Sequence, residues 1–251
     1  MDEKWKKAMG EEIAAIEHNN TWELSELLQG ARPIGVKWVF KKKMNAQGEI
    51  ERYKAQLVVK GYRQREGVDY AEVFAPVTRM ETVRLLISIA TQNKWPIFQM
   101  DVKSAFLNGV LKEEVYIEQP LGYMRRGEEK KVLRLKKALY GLKQAPRAWN
   151  DRIHTYFVEN KYEQCSVNDL VLMGNDAELI KKFKRTMEKE FEMTNLGHMR
   201  YFLGLEVKQL ETGIFVSQER YAEDILSKFK MVRCSRFQLQ WNQVQNFQSL
   251  M

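Results

Sequence analysis

The sequence predicts an α+β fold, and three observations lead to it. Several short segments alternate apolar and polar residues, as half-buried strands do. Other, longer segments repeat apolar residues at helical spacing. Along the chain, hairpins fall between helices instead of strand and helix taking strict turns, which argues against a doubly wound sheet. A length of 251 residues bounds the chain at one large domain or two small ones. With 44% apolar and 29% charged residues the composition is globular and not that of a disordered chain.

Residues 2–18 read as an amphipathic helix, with Trp5, Ala8, Met9, Ile13 and Ile16 on one stripe. Segments 34–43 and 50–60 alternate as two strands, and Asn45-Ala46-Gln47-Gly48 supplies the turn of a hairpin with basic outward positions. A loop runs from Gly67 to Pro76. Residues 80–93 carry Val83, Leu86, Ile87 and Ala90 at helical spacing, and Pro96 follows as a stop. Segment 97–102 is a short apolar strand holding one acid, 104–111 turns back, and 115–117 is a short strand. Segment 131–135 is another strand, and 145–160 a helix with Pro146 in its first turn. Residues 170–173 form a strand, and 176–191 a strongly amphipathic helix capped by Asp176. Segments 200–208 and 213–217 form a second hairpin, and 218–230 a last helix. Residues 236–251 form a tail, uncharged from Phe237 onward, that reads as disordered.

Composition removes several function classes. No uncharged run reaches the roughly 18 residues of a membrane helix. Charged residues from Asp2 onward argue against a secretory signal, and an intracellular protein is expected. Two cysteines, Cys165 and Cys234, make no disulfide scaffold, and with three histidines they make no zinc-finger spacing. The net charge of +8 has two readings, a solubility charge or a polyanion partner. Its distribution favours the second. Lys37, Lys41, Lys42, Lys43, Arg52, Lys54, Lys60, Arg63 and Arg65 share one stretch, with Glu49 and Glu51 against the middle of it. Trp38, Phe40, Tyr53 and Tyr62 are interleaved there, which suits base stacking.

Two acids are candidates for chemistry. Asp101 lies inside the apolar strand Ile97-Phe98-Gln99-Met100-Asp101-Val102, where a carboxylate is costly unless paired or holding a metal. Asp169 lies in a similar setting before Leu170. Two acids at the ends of adjacent strands can share divalent ions, which clamp attacking and leaving oxygens in phosphoryl transfer at about 4 Å separation.

Long strings then carry a resemblance. They are WEL at 22–24, IGVKWVFK at 34–41, RYKAQLVVKGYRQREGVDYAEVFAPV at 52–77 and QMDVKSAFLNG at 99–109. EEVYIEQP at 113–120, KALYGLKQAPRAW at 137–149, FEMTNLG at 191–197, YFLGLEV at 201–207 and QERYAEDILSKFKM at 218–231 complete the set. Over about residues 2–235 the chain resembles the reverse transcriptase domain of Ty1/copia-type retrotransposon Pol polyproteins. The resemblance implies a right-hand polymerase: fingers over about 20–96, a palm over about 97–217 with an interleaved fingers segment, and a last helix over 218–231. The palm would be an antiparallel sheet with helices packed on it. RNA-directed DNA polymerisation with Mg²⁺ or Mn²⁺, a template-primer of RNA or DNA, and deoxynucleoside triphosphates are implied. So is a place in a cytoplasmic virus-like particle or the nucleus. The resemblance makes Asp101 and Asp169 catalytic metal ligands, and Phe106 the aromatic that closes the sugar pocket against a 2′-hydroxyl. It places Lys54, Lys143 and Gln144 near the nucleotide, and Lys41, Lys43, Arg52, Lys60 and Arg63 along nucleic acid.

The chain also departs from that family. Asn168 stands where the first of two paired aspartates is expected, keeping an oxygen but losing the charge. The family's hairpin and apolar strand between Cys165 and the aspartates are absent, so a palm strand near 165–169 is expected to be missing. Gln56 replaces a usual arginine. The pattern reads as a deletion with an altered frame or misjoined exon. The expected consequence is impaired catalysis, the alternative being an inactive remnant that binds nucleic acid through its basic hairpin. Protease and zinc-binding integrase motifs of the polyprotein are not seen in the sequence.

Overall fold

In the computed structural model, the structure describes residues 2–45, 49–76, 79–162 and 170–231. Asn168, Asp169, both cysteines, the expected strand deficit near 165–169 and the tail 236–251 lie outside the described residues.

Helix α1 (Glu3–His18) starts where the Asp2 carboxylate accepts from the Lys4 N–H at 3.0 Å, relieving one of the unpaired donors of a first turn. Its expected stripe is the buried one: Ala8, Met9, Ile13 and Ile16. It packs on β3 (Ile50–Val59), which pairs antiparallel with β2 (Val36–Met44) as the alternation predicts. Asn45 and Glu49 close this hairpin by exchanging hydrogen bonds, one through the Asn45 side chain. A three-stranded antiparallel sheet follows in the order β1 (Trp22–Ser25), β6 (Val132–Lys137), β5 (Val110–Ile117). Leu57, Ile16, Ile117, Leu135 and Leu139 meet in a core shared by this sheet, α1 and β3.

Helix α2 (Met80–Asn93) ends before β4 (Ile97–Val102), both with the bounds that periodicity predicts. Strand β4 is the centre of a sheet ordered β7 (Leu170–Met173), β4, β8 (Met193–His198). Alternate side chains of β4 serve different cores. Met100 packs with residues of α3 (Ala145–Glu159) and α4 (Ala177–Phe191), among them Trp149, Met187 and Phe191. Ile97 packs instead with Ala90 of α2 and with Phe202, Leu205 and Val207 from β9 (Tyr201–Phe202) and β10 (Leu205–Leu210). Burying each such side chain stabilises by about 2 kcal/mol. Strand β11 (Gly213–Ser217) pairs with β10, and α5 (Glu219–Lys228) follows with no buried residue. No described helix is long and apolar enough to cross a membrane.

Three differences from the sequence reading have local causes. Strand β1 is four residues long, too short for an alternation signal. Strand β8, MTNLGH, is mostly polar and exposed, and it is a strand because its backbone pairs with β4. Strand β5 begins at Val110 rather than at 115, after a 3₁₀ turn over Ala105–Asn108 that occupies the expected turn.

Candidate active site

Asp101 lies one residue from the end of β4, across from Thr194 of β8. Leu170, the first described residue of β7, pairs with Met100, immediately before Asp101. Odd-numbered positions of β4 face away from α3 and α4, and Asp101 is exposed. The expectation that its carboxylate is buried among apolar groups is therefore corrected: the strand is apolar because its other face is covered, and Asp101 stays in water. Among the described residues its side chain has no hydrogen bond or ion pair, and no three His, Cys, Asp or Glu side chains gather into a metal-binding cluster. One free carboxylate with oxygen donors is what the described part offers a hard cation.

Beside it, the 3₁₀ turn after β4 presents Phe106, whose ring centroid lies 4.9 Å from that of Tyr140. Burial pushes the Tyr140 hydroxyl up from its usual value, and the charges of Glu12 and Asp101 add to the rise. Tyr140 thus links the carboxylate, the aromatic turn and α1. Its carbonyl accepts from Val59 N–H at 2.7 Å, covering the outer edge of β3. Glu12 covers the neighbouring position, its carboxylate accepting from Leu57 N–H at 3.2 Å. Burial raises the Glu12 carboxyl above its usual range, against lowering by that bond and by Lys54.

The turn after Tyr140 fits against β3 at backbone contact. Gly141 has φ +93°, and a Cβ on it would lie 2.2 Å from the Val59 carbonyl oxygen. A Cβ on Gly61 would lie 2.0 Å from the Gly141 carbonyl oxygen. Next along, Gln144 is buried with both ends of its carboxamide engaged: Nε2 donates to Asp69 O and Oε1 accepts from Gln64 Nε2, each at 2.9 Å. Gln64 Oε1 accepts from Lys143 N–H at 2.8 Å. The Lys143 amine donates to the Tyr70 hydroxyl at 2.9 Å. Loop 61–70 and turn 140–146 are therefore one hydrogen-bonded unit.

The basic residues expected along a polyanion fall mostly on the β2–β3 hairpin. Lys41 is directly opposite Lys54, and Lys43 opposite Arg52. All four are exposed; among the described residues Arg52 alone of this quartet has an ion pair, with Glu11 at 3.2 Å, while Lys54 attracts the Glu12 carboxylate at longer range. Like charges directly across a sheet are unfavourable without a counter-charge. Lys60 and Arg63 continue the basic line where β3 leaves the sheet. Sequence reasoning missed Glu12, Gln64 and Tyr70. Nothing local marks them, since their partners are 45 to 80 positions away.

A family model described as reverse transcriptase (RNA-dependent DNA polymerase) matches residues 19–240. The chain is 39% identical over 252 residues to the retrovirus-related Pol polyprotein from transposon RE2 of Arabidopsis thaliana, covering 92% of this chain and 17% of that protein. It is 38% identical over 248 residues to that from transposon TNT 1-94 of Nicotiana tabacum, covering 90% and 19%. A truncated transposon Ty1-A Gag-Pol polyprotein of Saccharomyces cerevisiae is 28% identical over 235 residues, covering 82% and 19%. The chain thus spans under a fifth of these relatives' length. The match to the RE2 relative runs over 252 positions but draws on 92% of 251 residues, about 231, so about 21 of its positions face no residue here. The same subtraction for the tobacco relative, 248 less 90% of 251, leaves about 22.

Proposed function

The chain belongs to the reverse transcriptase (RNA-dependent DNA polymerase) family, in the branch of copia-type transposon Pol polyproteins, and from that premise we propose a template-gripping polymerase domain whose catalysis is impaired. The fingers are residues 20–96 and the palm 97–217. The observation that carries the gripping role is the set of like charges facing each other across an exposed hairpin, Lys41 against Lys54 and Lys43 against Arg52, of which only the second has an ion-pair partner among the described residues, Glu11 on Arg52. A phosphate backbone, or the triphosphate of a nucleotide, relieves their repulsion. Lys60 and Arg63 extend the same track.

Reverse transcriptases are generally metal-dependent, and an exposed, unpartnered carboxylate suits Mg²⁺ or Mn²⁺. Asp101 would hold the ion, with Asp169, next to Leu170 in sequence, as second ligand. Bound there, the metal stabilises charge on attacking and leaving oxygens. Phe106, backed by Tyr140, bounds the sugar pocket. Lys54 supplies charge to the phosphates. Lys143 and Gln144 shape the pocket floor, Gln144 through its buried bonds and not by an exposed amide.

Two facts support impairment. Asn168 replaces an expected acid, so the site has one negative charge fewer to hold a divalent ion. About 21 positions present in the relatives have no residue here. The test is primer extension on an RNA template with Mg²⁺ and then Mn²⁺, run beside Asp101→Ala. Salt-sensitive template binding without extension is the expected result. Extension abolished by Asp101→Ala overturns the impairment, and absence of template binding overturns the gripping role.

A further inference from the structure

A cavity of about 370 Å³ opens between α4 and the β7–β4–β8 sheet, on the face of the sheet opposite Asp101. Its volume lies in the range of small-ligand sites. Three cations line it, Lys181, Lys184 and Arg185, against a single acid, Glu188. Lys184 is fixed in place: its amine sits 3.5 Å from the centroid of the Phe98 ring, which His198 of the next strand backs at 4.8 Å. Among the described residues neither Lys184 nor Arg185 has a carboxylate within 4 Å, and Lys181 reaches only Glu178, at 3.9 Å. Burial lowers the Lys184 amine from its usual value, against a partial raising by the charge of Glu188. The first turn of α4 forms another wall at Ala177; there the Asp176 carboxylate caps the helix through the Leu179 N–H and Glu178 follows, so the helix end adds no positive field of its own. On the far wall the Asn195 side-chain oxygen accepts from Gly197 N–H, and among the described residues its amide nitrogen has no acceptor.

We propose that this cavity is a binding site for a phosphate-bearing ligand. Lys184 and Arg185, which among the described residues have no carboxylate within 4 Å, supply the positive charge that a phosphate dianion takes. The Arg185 fork suits its tetrahedral oxygens, and the anchored Lys184 amine costs little further ordering on binding. Pro96 and Ile180 give the cavity an apolar side that accepts the ring or sugar of a nucleotide. A free phosphate monoester and a nucleic-acid phosphodiester share this chemistry. The site does not depend on the polymerase reading, because no residue of it lies on the Asp101 face.

The experiment titrates ¹⁵N-labelled full chain, in EDTA to exclude metal-borne binding, with pyrophosphate, AMP and a short single-stranded oligonucleotide. Saturable shifts at Lys184, Arg185, Asn195 and Phe98 are expected. Lys184→Gln together with Arg185→Gln should weaken binding about tenfold or more, while Lys184→Arg retains most of it. Phe98→Leu, which keeps every charge but removes the amine's seat, should give an intermediate loss. Both side-chain changes on α4 are helix-compatible, and circular dichroism checks the fold. Response to pyrophosphate and AMP identifies free phosphate as the ligand, and response to the oligonucleotide alone identifies the backbone. Either supports the site. No saturable response at millimolar ligand, or binding unchanged in the double variant, overturns it.

Discussion

Gln64 and Gln144 hold each other through one carboxamide bond of 2.9 Å, although 80 positions separate them in the chain. Both are buried, and each has a second bond, to Lys143 N–H and to Asp69 O respectively. Truncating either leaves buried donors or acceptors without partners, at about 1–3 kcal/mol. Gln64→Ala and Gln144→Ala should each lower stability by that amount in urea unfolding. The double variant should fall short of the sum, because one bond is counted in both. Additive losses would show that the amide pair is not coupled.

Two glycines, one in turn 140–146 and one in loop 61–70, separate two kinds of strain. Gly141 combines φ +93° with a Val59 oxygen 2.2 Å from any added Cβ. Gly67 has φ +74° and nothing within 4 Å. Gly67→Ala should cost only the left-handed backbone penalty, about 1–2 kcal/mol. Gly141→Ala adds a backbone clash and should exceed about 3 kcal/mol, or prevent folding. Thermal unfolding of the two variants decides. Equal losses would mean that the turn at Gly141 moves away from β3 at little cost.

These two glycines show what a sequence discloses. Periodicity gave α2 and β4 their bounds, because each buries a regular stripe and ends at its own stop signal. The same reading located Asp101 in its strand but put its carboxylate in the wrong medium. Alternation tells which residues share a face, not whether the other face is covered. The union of loop 61–70 with turn 140–146 was hidden for a different reason. It is made by amides and backbone between distant segments, and polar residues in a basic loop carry no periodic signature.

Glu12 gives a pH-dependent prediction. Burial raises its carboxyl in the folded chain, so between the unfolded value and the folded one the native state binds more protons. Its contribution to stability therefore falls as pH rises through that window. Glu12→Gln keeps an oxygen for the Leu57 N–H and removes the buried charge. The variant should match the parent near pH 4 and gain on it by pH 7. Glu12→Ala loses the bond at every pH, about 1 kcal/mol. Urea midpoints at the two pH values test this. A Gln variant that loses ground as pH rises would show that attraction to Lys54 outweighs burial.

The cross-strand cations should affect the free chain and the complex in opposite senses. Lys41 faces Lys54 on an exposed face, so removing the Lys41 charge relieves repulsion in the free protein, whereas removing that of Lys54 also removes its attraction for the Glu12 carboxylate. Lys41→Gln should leave stability unchanged or raise it by a few tenths of a kcal/mol up to about 1, and Lys54→Gln should gain less. On a template, each lysine that neutralises a phosphate releases a condensed counterion. Each variant should then bind more weakly at low salt, with the slope of log affinity against log salt reduced by about 1. Fluorescence anisotropy on a labelled RNA–DNA hybrid across a salt series reads the slope, and urea unfolding reads the free chain. A stabilised protein with a shallower slope fits a hairpin built for an absent polyanion. An unchanged slope would place the nucleic acid elsewhere, and a destabilised free chain would mean that the lysine stems contribute packing which the paired charges conceal.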